Sequence, residues 1–400
     1  MFTDKNKIIA VSIAIVAVLA LGIVWYFFPS AENVQLKAAV EAARLNNSGD
    51  YAGAQNFLLE KIKTDSSPEL KLLLAASYLD EGTVRGRETE ASKKAREILF
   101  GLDKNYYQSA ELYNLLGYSY EIVGDFDNAL GYYGRALILD KTSVSTLFGI
   151  GNANRLNGNL ARAKEYYDKA ENNINKSTDN SVSIKVYAAQ GKMSGAPEKS
   201  EEYFLKALPL ADSKAFKSEL YANLSHAKYL QNDLPNAIEY AGLAIKTDPS
   251  NELGYIAYAK ATISDKVLLQ KNAQKVEEYL VKAIFLAPRK AESQYWMGKL
   301  DFVLGKYDLA IKSYDTARIF IPKDNTLGKS DRDVLLSDIL FDESIVYFFK
   351  KDGKYLSYLK EAFKYNPVKT LYMLDKDTAL KEMRTALISS NIFLMAKFKP

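Results

Sequence analysis

Several residue types that build active sites are scarce or missing in these 400 residues. The chain has no cysteine and a single histidine, His226, which excludes disulfide frameworks, thiol nucleophiles, zinc fingers and iron–sulfur clusters. There are only 10 prolines and 21 glycines against 48% hydrophobic residues, which excludes a disordered or collagen-like chain. The net charge is only +4 and no long basic block occurs, so we expect no nucleic-acid partner.

One long apolar run lies near the N-terminus. Residues 8–28 carry no charge, and as a helix they can cross a hydrocarbon layer of about 30 Å. A cleavable signal peptide is the alternative, but its apolar region usually spans only about 7–15 residues. The run therefore predicts a transmembrane helix that follows a short tail, residues 1–7. Lys5 and Lys7 in that tail place the N-terminus in the cytoplasm, so we expect a single-pass protein whose remaining chain is extracytoplasmic, either periplasmic or at the cell surface.

Two stretches of the chain repeat each other at a spacing of 34 residues. Residues 117–140 read GYSYEIVGDFDNALGYYGRALILD, and residues 151–174 read GNANRLNGNLARAKEYYDKAENNI. Small and aromatic residues recur at this one offset: Gly117 with Gly151, Gly124 with Gly158, Ala129 with Ala163, Tyr133 with Tyr167, and Ala136 with Ala170. A period in the range of about 20–50 residues indicates stacked supersecondary units rather than separate globular domains.

Each unit contains two segments of about 12–15 residues with apolar spacing near i, i+3, i+4 and i+7, which predicts two helices joined by a polar turn. Glycine or asparagine begins the turn, as expected for a left-handed cap of the first helix. The turns are GDF at 124–126, GNL at 158–160, NDL at 232–234 and GKY at 305–307. Prolines at positions 249, 288 and 322 are expected to stop the second helix of their units.

This pattern resembles the tetratricopeptide repeat (TPR) family, whose 34-residue unit has small residues at its eighth, twentieth and twenty-seventh places. The twentieth place runs along this chain as Ala54, Ala95, Ala129, Ala163, Ser200, Ala237, Val276, Ala310 and Tyr358. The resemblance covers roughly residues 35–367. It implies an all-α fold, a TPR-type helix–turn–helix solenoid of about nine repeats, preceded by the single N-terminal transmembrane helix.

The repeats differ in regularity along the chain. Residues 35–102 are predicted to form degenerate N-terminal repeats, and residues 103–325 form the regular central repeats. Residues 326–400 are predicted to hold a degenerate last repeat and capping helices, because the final apolar face of a solenoid has no neighbouring repeat to cover it.

Motifs with catalytic potential do not form a complete set. Gly328, Lys329 and Ser330 resemble the end of a phosphate-binding loop, but Lys323 stands where its first glycine is needed. Paired aspartates such as Asp331 and Asp333 lie in turns, where aspartate caps helices. We expect no catalytic residue, no cofactor and no metal site.

The family resemblance implies instead a groove, lined by the inner face of each first helix, that takes an extended peptide or another helix. By position the lining residues are Asn114, Tyr118, Glu121, Phe148, Asn152, Arg155, Lys185, Lys192, His226, Tyr229, Tyr295, Lys299 and Phe302. Aromatic rings beside amides and cations suit peptide recognition. The alternative is that this face is only a solvated surface of mixed polarity, with His226 a solvated lone histidine.

The sequence thus predicts a membrane-anchored TPR scaffold without catalysis of its own. Its partners would be proteins or peptides of a cell-envelope assembly of the secretion, pilus or wall-synthesis type, and residues 8–28 would hold it in the membrane. Two alternatives stay open: an extracytoplasmic hydrolase with an unrecognised carboxylate site, and a secreted soluble adaptor released by signal cleavage.

Overall fold

A computed structural model describes residues 31–390, apart from positions 48, 86–88, 106, 176–177 and 325–326. The predicted tail 1–7, the predicted transmembrane helix 8–28 and the last ten residues lie outside this description. Every regular element within it is a helix, which confirms the all-α fold class. None of these described helices is both long enough and apolar enough to span a membrane.

The chain divides into two compact units between residues 139 and 140. Unit 1 consists of helical hairpins in which each helix packs against the next. Its helices are α1 (Ala31–Asn47), α2 (Tyr51–Thr64), α3 (Pro68–Arg85), α4 (Glu90–Lys104), α5 (Ala110–Val123) and α6 (Phe126–Leu139).

Unit 2 continues the same arrangement with six further hairpins among its described residues and a short closing pair. Its helices are α7 (Val144–Leu156), α8 (Leu160–Asn173), α9 (Asn180–Met193), α10 (Pro197–Ala207), α11 (Lys214–Leu230), α12 (Leu234–Thr247), α13 (Glu252–Ile263), α14 (Lys266–Leu286), α15 (Ala291–Val303), α16 (Tyr307–Phe320), α17 (Lys329–Phe349), α18 (Tyr355–Tyr365), α19 (Pro367–Lys376) and α20 (Lys381–Ser390). In each hairpin the first helix has the odd number and the second the even one.

The helix boundaries follow from local chemistry. Ser109 begins α5 because its hydroxyl accepts a hydrogen bond from the Leu112 amide at 3.0 Å. All four predicted turns contain a residue with positive φ, at Gly124, Gly158, Asn232 and Gly305. A residue without a Cβ, or asparagine, adopts this backbone at little cost, so the turn prediction is confirmed.

A close approach between the two helices recurs in the regular hairpins. A Cβ atom added to Gly117 of α5 would lie 2.6 Å from the ring of Tyr133 on α6, and the same distance separates Gly151 from the ring of Tyr167. Both tyrosines are almost completely buried. The small residue of the first helix therefore makes room for a large ring on the second, as the repeat pattern predicts.

The twentieth place of the repeat is buried in every hairpin except the last. Eight of the nine residues at this place are exposed by 6% or less. Tyr358 differs, because it is only half-buried and its ring stacks on Tyr347 at 5.0 Å. The next residue, Leu359, is fully buried in a cluster with Leu340 and Phe341 of α17. The twentieth place of the last hairpin was therefore predicted one residue too early, at Tyr358. Leu359 is the residue through which its two helices pack.

Replacing Gly117 by alanine should destabilise unit 1 by about 1–3 kcal/mol, because the new methyl group must displace the ring of Tyr133. Gly131 in α6 is a matched control, since nothing lies within 4 Å of its Cβ position. Gly131→Ala should stabilise the protein by about 0.5–1 kcal/mol through better helix propensity. Urea unfolding followed by circular dichroism measures both effects. A Gly117→Ala variant as stable as the wild type would disprove the close approach.

Candidate functional site

In unit 1 the predicted groove residues Asn114, Tyr118 and Glu121 lie on α5. Glu121 is only 7% exposed and accepts a hydrogen bond from the Tyr133 hydroxyl at 2.8 Å. Burial, followed by this neighbouring carboxylate, raises the pKa of Tyr133 well above its usual range. Glu121 therefore serves the interior of its hairpin, whereas Asn114 and Tyr118 remain half-buried at the surface of α5.

In unit 2 the three candidates on α7 form a small network. The side-chain oxygen of Asn152 accepts hydrogen bonds from the Arg155 guanidinium at 3.2 and 3.3 Å. Phe148 packs beside the ring of Tyr167, with 5.8 Å between the centroids. All three candidates are half-buried, so α7 presents a partly accessible surface that is held in place by its own side chains.

The first helices of unit 2 are joined to one another by a continuous series of contacts. Helix α7 contacts α9. Further along the chain α11 contacts α13, α13 contacts α15, and α15 contacts α17. Between these two groups, α9 is connected to α11 by an ion pair of Lys192 with Glu219 at 2.9 Å.

Helix α17, from the last hairpin of unit 2, also contacts α7, from the earliest one. Arg155 donates to a carboxylate oxygen of Asp331 at 2.9 Å. Gly328 lies so close to the end of α7 that a Cβ there would be 3.1 Å from the Arg155 carbonyl oxygen. The inner face of unit 2 is therefore enclosed by a circle of six first helices, counted over the residues that the structure describes.

Lysine side chains on α9 contribute charge to this inner face, but they are partly compensated. Lys185 is exposed, and Lys192 forms the ion pair with Glu219. Lys192, followed by Lys290 and Lys185, lowers the pKa of Glu219 against the opposing effect of burial. A carboxylate of the next first helix thus compensates part of the positive charge of these lysines.

On α13, Lys260 lies between two aromatic rings from the neighbouring first helices. Its Nζ atom is 5.2 Å from the ring centroid of Tyr229 on α11 and 5.6 Å from that of Trp296 on α15. The hydroxyl of Tyr229 lies 3.4 Å from the Ser264 hydroxyl, which fixes the ring. The imidazole of His226 stacks on the Tyr229 ring, with 6.1 Å between the two centroids. Rings and a cation from three successive hairpins meet here.

The candidates on α15 are mostly engaged in contacts with α17. The Tyr295 hydroxyl donates to Asp342 at 2.8 Å, and Lys299 pairs with the same carboxylate at 3.0 Å. Burial by itself lowers the pKa of Lys299. The Asp342 carboxylate raises this pKa by more, so the net shift is upward. Phe302 packs against Phe349, with 5.9 Å between centroids. Tyr295 and Phe302 therefore support the fold, while Lys299 reaches the inner face with its charge compensated.

The electrostatics of the inner face act on the single histidine. The side chain of His226 is exposed at the surface of α11, but the groups around it partly desolvate the imidazole. This desolvation, followed by the nearby Lys260 ammonium, lowers the pKa of His226 below its ordinary value. His226 is therefore a neutral hydrogen-bonding group at neutral pH.

Sequence reasoning missed four residues of this face: Glu219, Lys260, Trp296 and Asp342. Lys260 was missed because no residue of α13 was assigned to the predicted groove. The signal was present, since Ala259 is fully buried and Lys260 follows it just as His226 follows Ser225 and Lys299 follows Gly298. No group of three or more metal-ligating side chains is present among the described residues.

Comparison with known sequences identifies one repeat directly. Residues 110–142, which contain α5 and α6, match the family model for the tetratricopeptide repeat. Over 58 residues the chain is 38% identical to the uncharacterized protein ycf37 of Guillardia theta. That match covers 14% of this chain and spans about a third (33%) of the relative's length.

Comparison with solved structures supports the fold. A monomeric mutant of IFIT1, solved with Gppp-AAAA, has a TM-score of 0.55 at 14% identity, and the match covers 87% of this chain and 82% of that one. The human IFIT1 dimer with m7Gppp-AAAA has a TM-score of 0.49 at 16% identity, over 81% and 80% of the two chains. At such identities the likeness concerns the arrangement of helices alone.

The pKa of His226 should lie below 6.5, the ordinary value for histidine. Because this is the only histidine, one imidazole signal in a proton–carbon NMR titration reports it. Lys260→Met should move the midpoint upward, since it removes a neighbouring positive charge. Lys282→Met, on the exposed surface of α14, should leave the midpoint unchanged. A wild-type midpoint at or above 6.5 would contradict the enclosure of the inner face.

Proposed function

The chain is an all-α solenoid of TPR-type hairpins, and we propose that it is a membrane-anchored scaffold that binds protein segments on the inner face of unit 2. One observation carries this proposal: Tyr229, Lys260 and Trp296, from three successive first helices, meet on a face that is enclosed by helices. Rings provide contact area at low entropic cost, and fixed cations bind carbonyl or carboxylate oxygens.

The proposed membrane attachment rests on the sequence. The uncharged run 8–28, with Lys5 and Lys7 before it, favours one anchor helix and an extracytoplasmic solenoid. The scaffold would then hold its partner beside the membrane, in a secretion, pilus or wall-synthesis assembly. It would act by positioning proteins and would not catalyse a reaction.

Photochemical crosslinking tests the proposed binding face. A benzophenone amino acid at position 229 should form adducts with a partner protein in intact cells, because Tyr229 borders the enclosed face. The same probe at position 285 is the control, since Phe285 is 74% exposed on α14. Mass spectrometry identifies the adducts. Adducts at position 285 with none at position 229 would move the binding surface to the outside of the solenoid.

Alkaline carbonate extraction tests the anchor. The full chain should stay in the membrane pellet, because only hydrophobic burial of residues 8–28 would hold it there. Deletion of residues 1–30 should release the protein into the supernatant. Protease added outside the membrane should digest the solenoid of the full-length protein. Release of the uncleaved chain by carbonate would refute the anchor, and full protection of the solenoid would invert the topology.

A further inference from the structure

Three half-buried lysines on the first helices or turns of unit 2 are each paired with a carboxylate. Lys228 pairs with Glu201 at 2.8 Å, Lys290 with Glu252 at 2.9 Å and Lys299 with Asp342 at 3.0 Å. Each of these lysine side chains is between 15% and 25% exposed. Lys260 is half-buried too, yet within the described part of the chain its contacts are the rings of Tyr229 and Trp296.

A half-buried ammonium group without an anion is a costly arrangement. Loss of hydration around Lys260 lowers its pKa, and the more distant carboxylates of Glu292 and Asp338 offset this only in part. The two ring faces hold the ammonium at a defined place, so little side-chain entropy remains to be lost when an anion binds. The group is therefore preorganised for one further anionic contact.

We infer that Lys260, between Tyr229 and Trp296, forms a subsite for a carboxylate of an acidic residue in an extended peptide bound on the inner face of unit 2. The inference rests on the proposed function and names the chemistry that the bound segment must carry. The carboxylate completes the ion pair that each of the neighbouring lysines already has. Flanking residues of the peptide contact the two rings.

Carboxylates on the same face favour a peptide over a nucleic acid. Glu292 and Asp338 lie near enough to act on Lys260, and Asp342 lies beside Lys299. A phosphate chain carries one charge per nucleotide and would meet these groups at several points, with like-charge repulsion. A peptide with a single acidic residue places its one negative charge at Lys260 and avoids them.

Peptide arrays test the inference with the full chain in detergent. The probes are random 12-residue peptides with one glutamate, each beside a copy in which glutamine replaces that glutamate. The wild type should retain the glutamate peptides preferentially. In Lys260→Met, fluorescence anisotropy should show a loss of roughly tenfold to a hundredfold in affinity for the best glutamate peptide, as for a lost hydrogen bond to a charged group. Binding of its glutamine copy should not change.

The control variant is Lys282→Met, which removes an exposed lysine of α14 and should bind both peptides like the wild type. Circular dichroism checks that the variants are folded. Equal retention of glutamate and glutamine peptides by the wild type would overturn the carboxylate subsite while leaving peptide binding intact. Equal losses for both peptides in Lys260→Met would also overturn it, since Lys260 would then only support the rings.

Two other outcomes separate the inference from the proposed function. If the wild type binds no peptide and position 229 forms no adduct, the proposed function and the subsite fail together. A single-stranded 12-nucleotide oligothymidylate whose binding depends on Lys260 would assign the subsite to phosphate and overturn the carboxylate. The array and the oligonucleotide are measured at the same ionic strength, because phosphate binding weakens steeply with salt.

Discussion

The contact of a helix glycine with a buried tyrosine ring sets the geometry on which the rest of each regular hairpin depends. Gly117 and Gly151 leave room for the rings of Tyr133 and Tyr167. A Cβ atom at either glycine would lie too close to the ring. The contact fixes both the separation of the two helices and their rotation about their own axes. Once the rotation of the first helix is fixed, the residue after the glycine must face inward, as Asn152 does after Gly151.

The inner face of unit 2 is a consequence of that rotation repeated over successive hairpins. Each first helix brings one or two polar or aromatic side chains to the face, and the contact between Arg155 and Asp331 closes it. An ion pair with one exposed partner, Asp331, contributes little stability by itself, about 0–1 kcal/mol. The backbone packing at Gly328 is the tighter contact, because a side chain there would meet the end of α7. Closure therefore depends on shape first and on charge second.

Charges on this face are arranged in pairs between neighbouring helices. Lys192 with Glu219 and Lys299 with Asp342 each join two first helices, so the ion pairs also connect successive repeats. Removal of water raises the cost of any unpaired charge. Lys260 departs from this rule, and aromatic rings replace its carboxylate partner. A half-buried charge without a carboxylate partner is typical of a binding site, where the ligand supplies the missing group.

The sequence by itself determined the helix–turn–helix unit, because its signals are local: the 34-residue period, the left-handed turns at Gly124 and Gly305, and the pairing of small with aromatic residues. It did not reveal that Glu121 and Tyr295 are held in the interior, since their partners come from other helices. Only the tertiary structure brought Arg155 to Asp331, 176 residues away. That contact depends on small rotations that add up over six hairpins, and no short-range pattern in the chain records their sum.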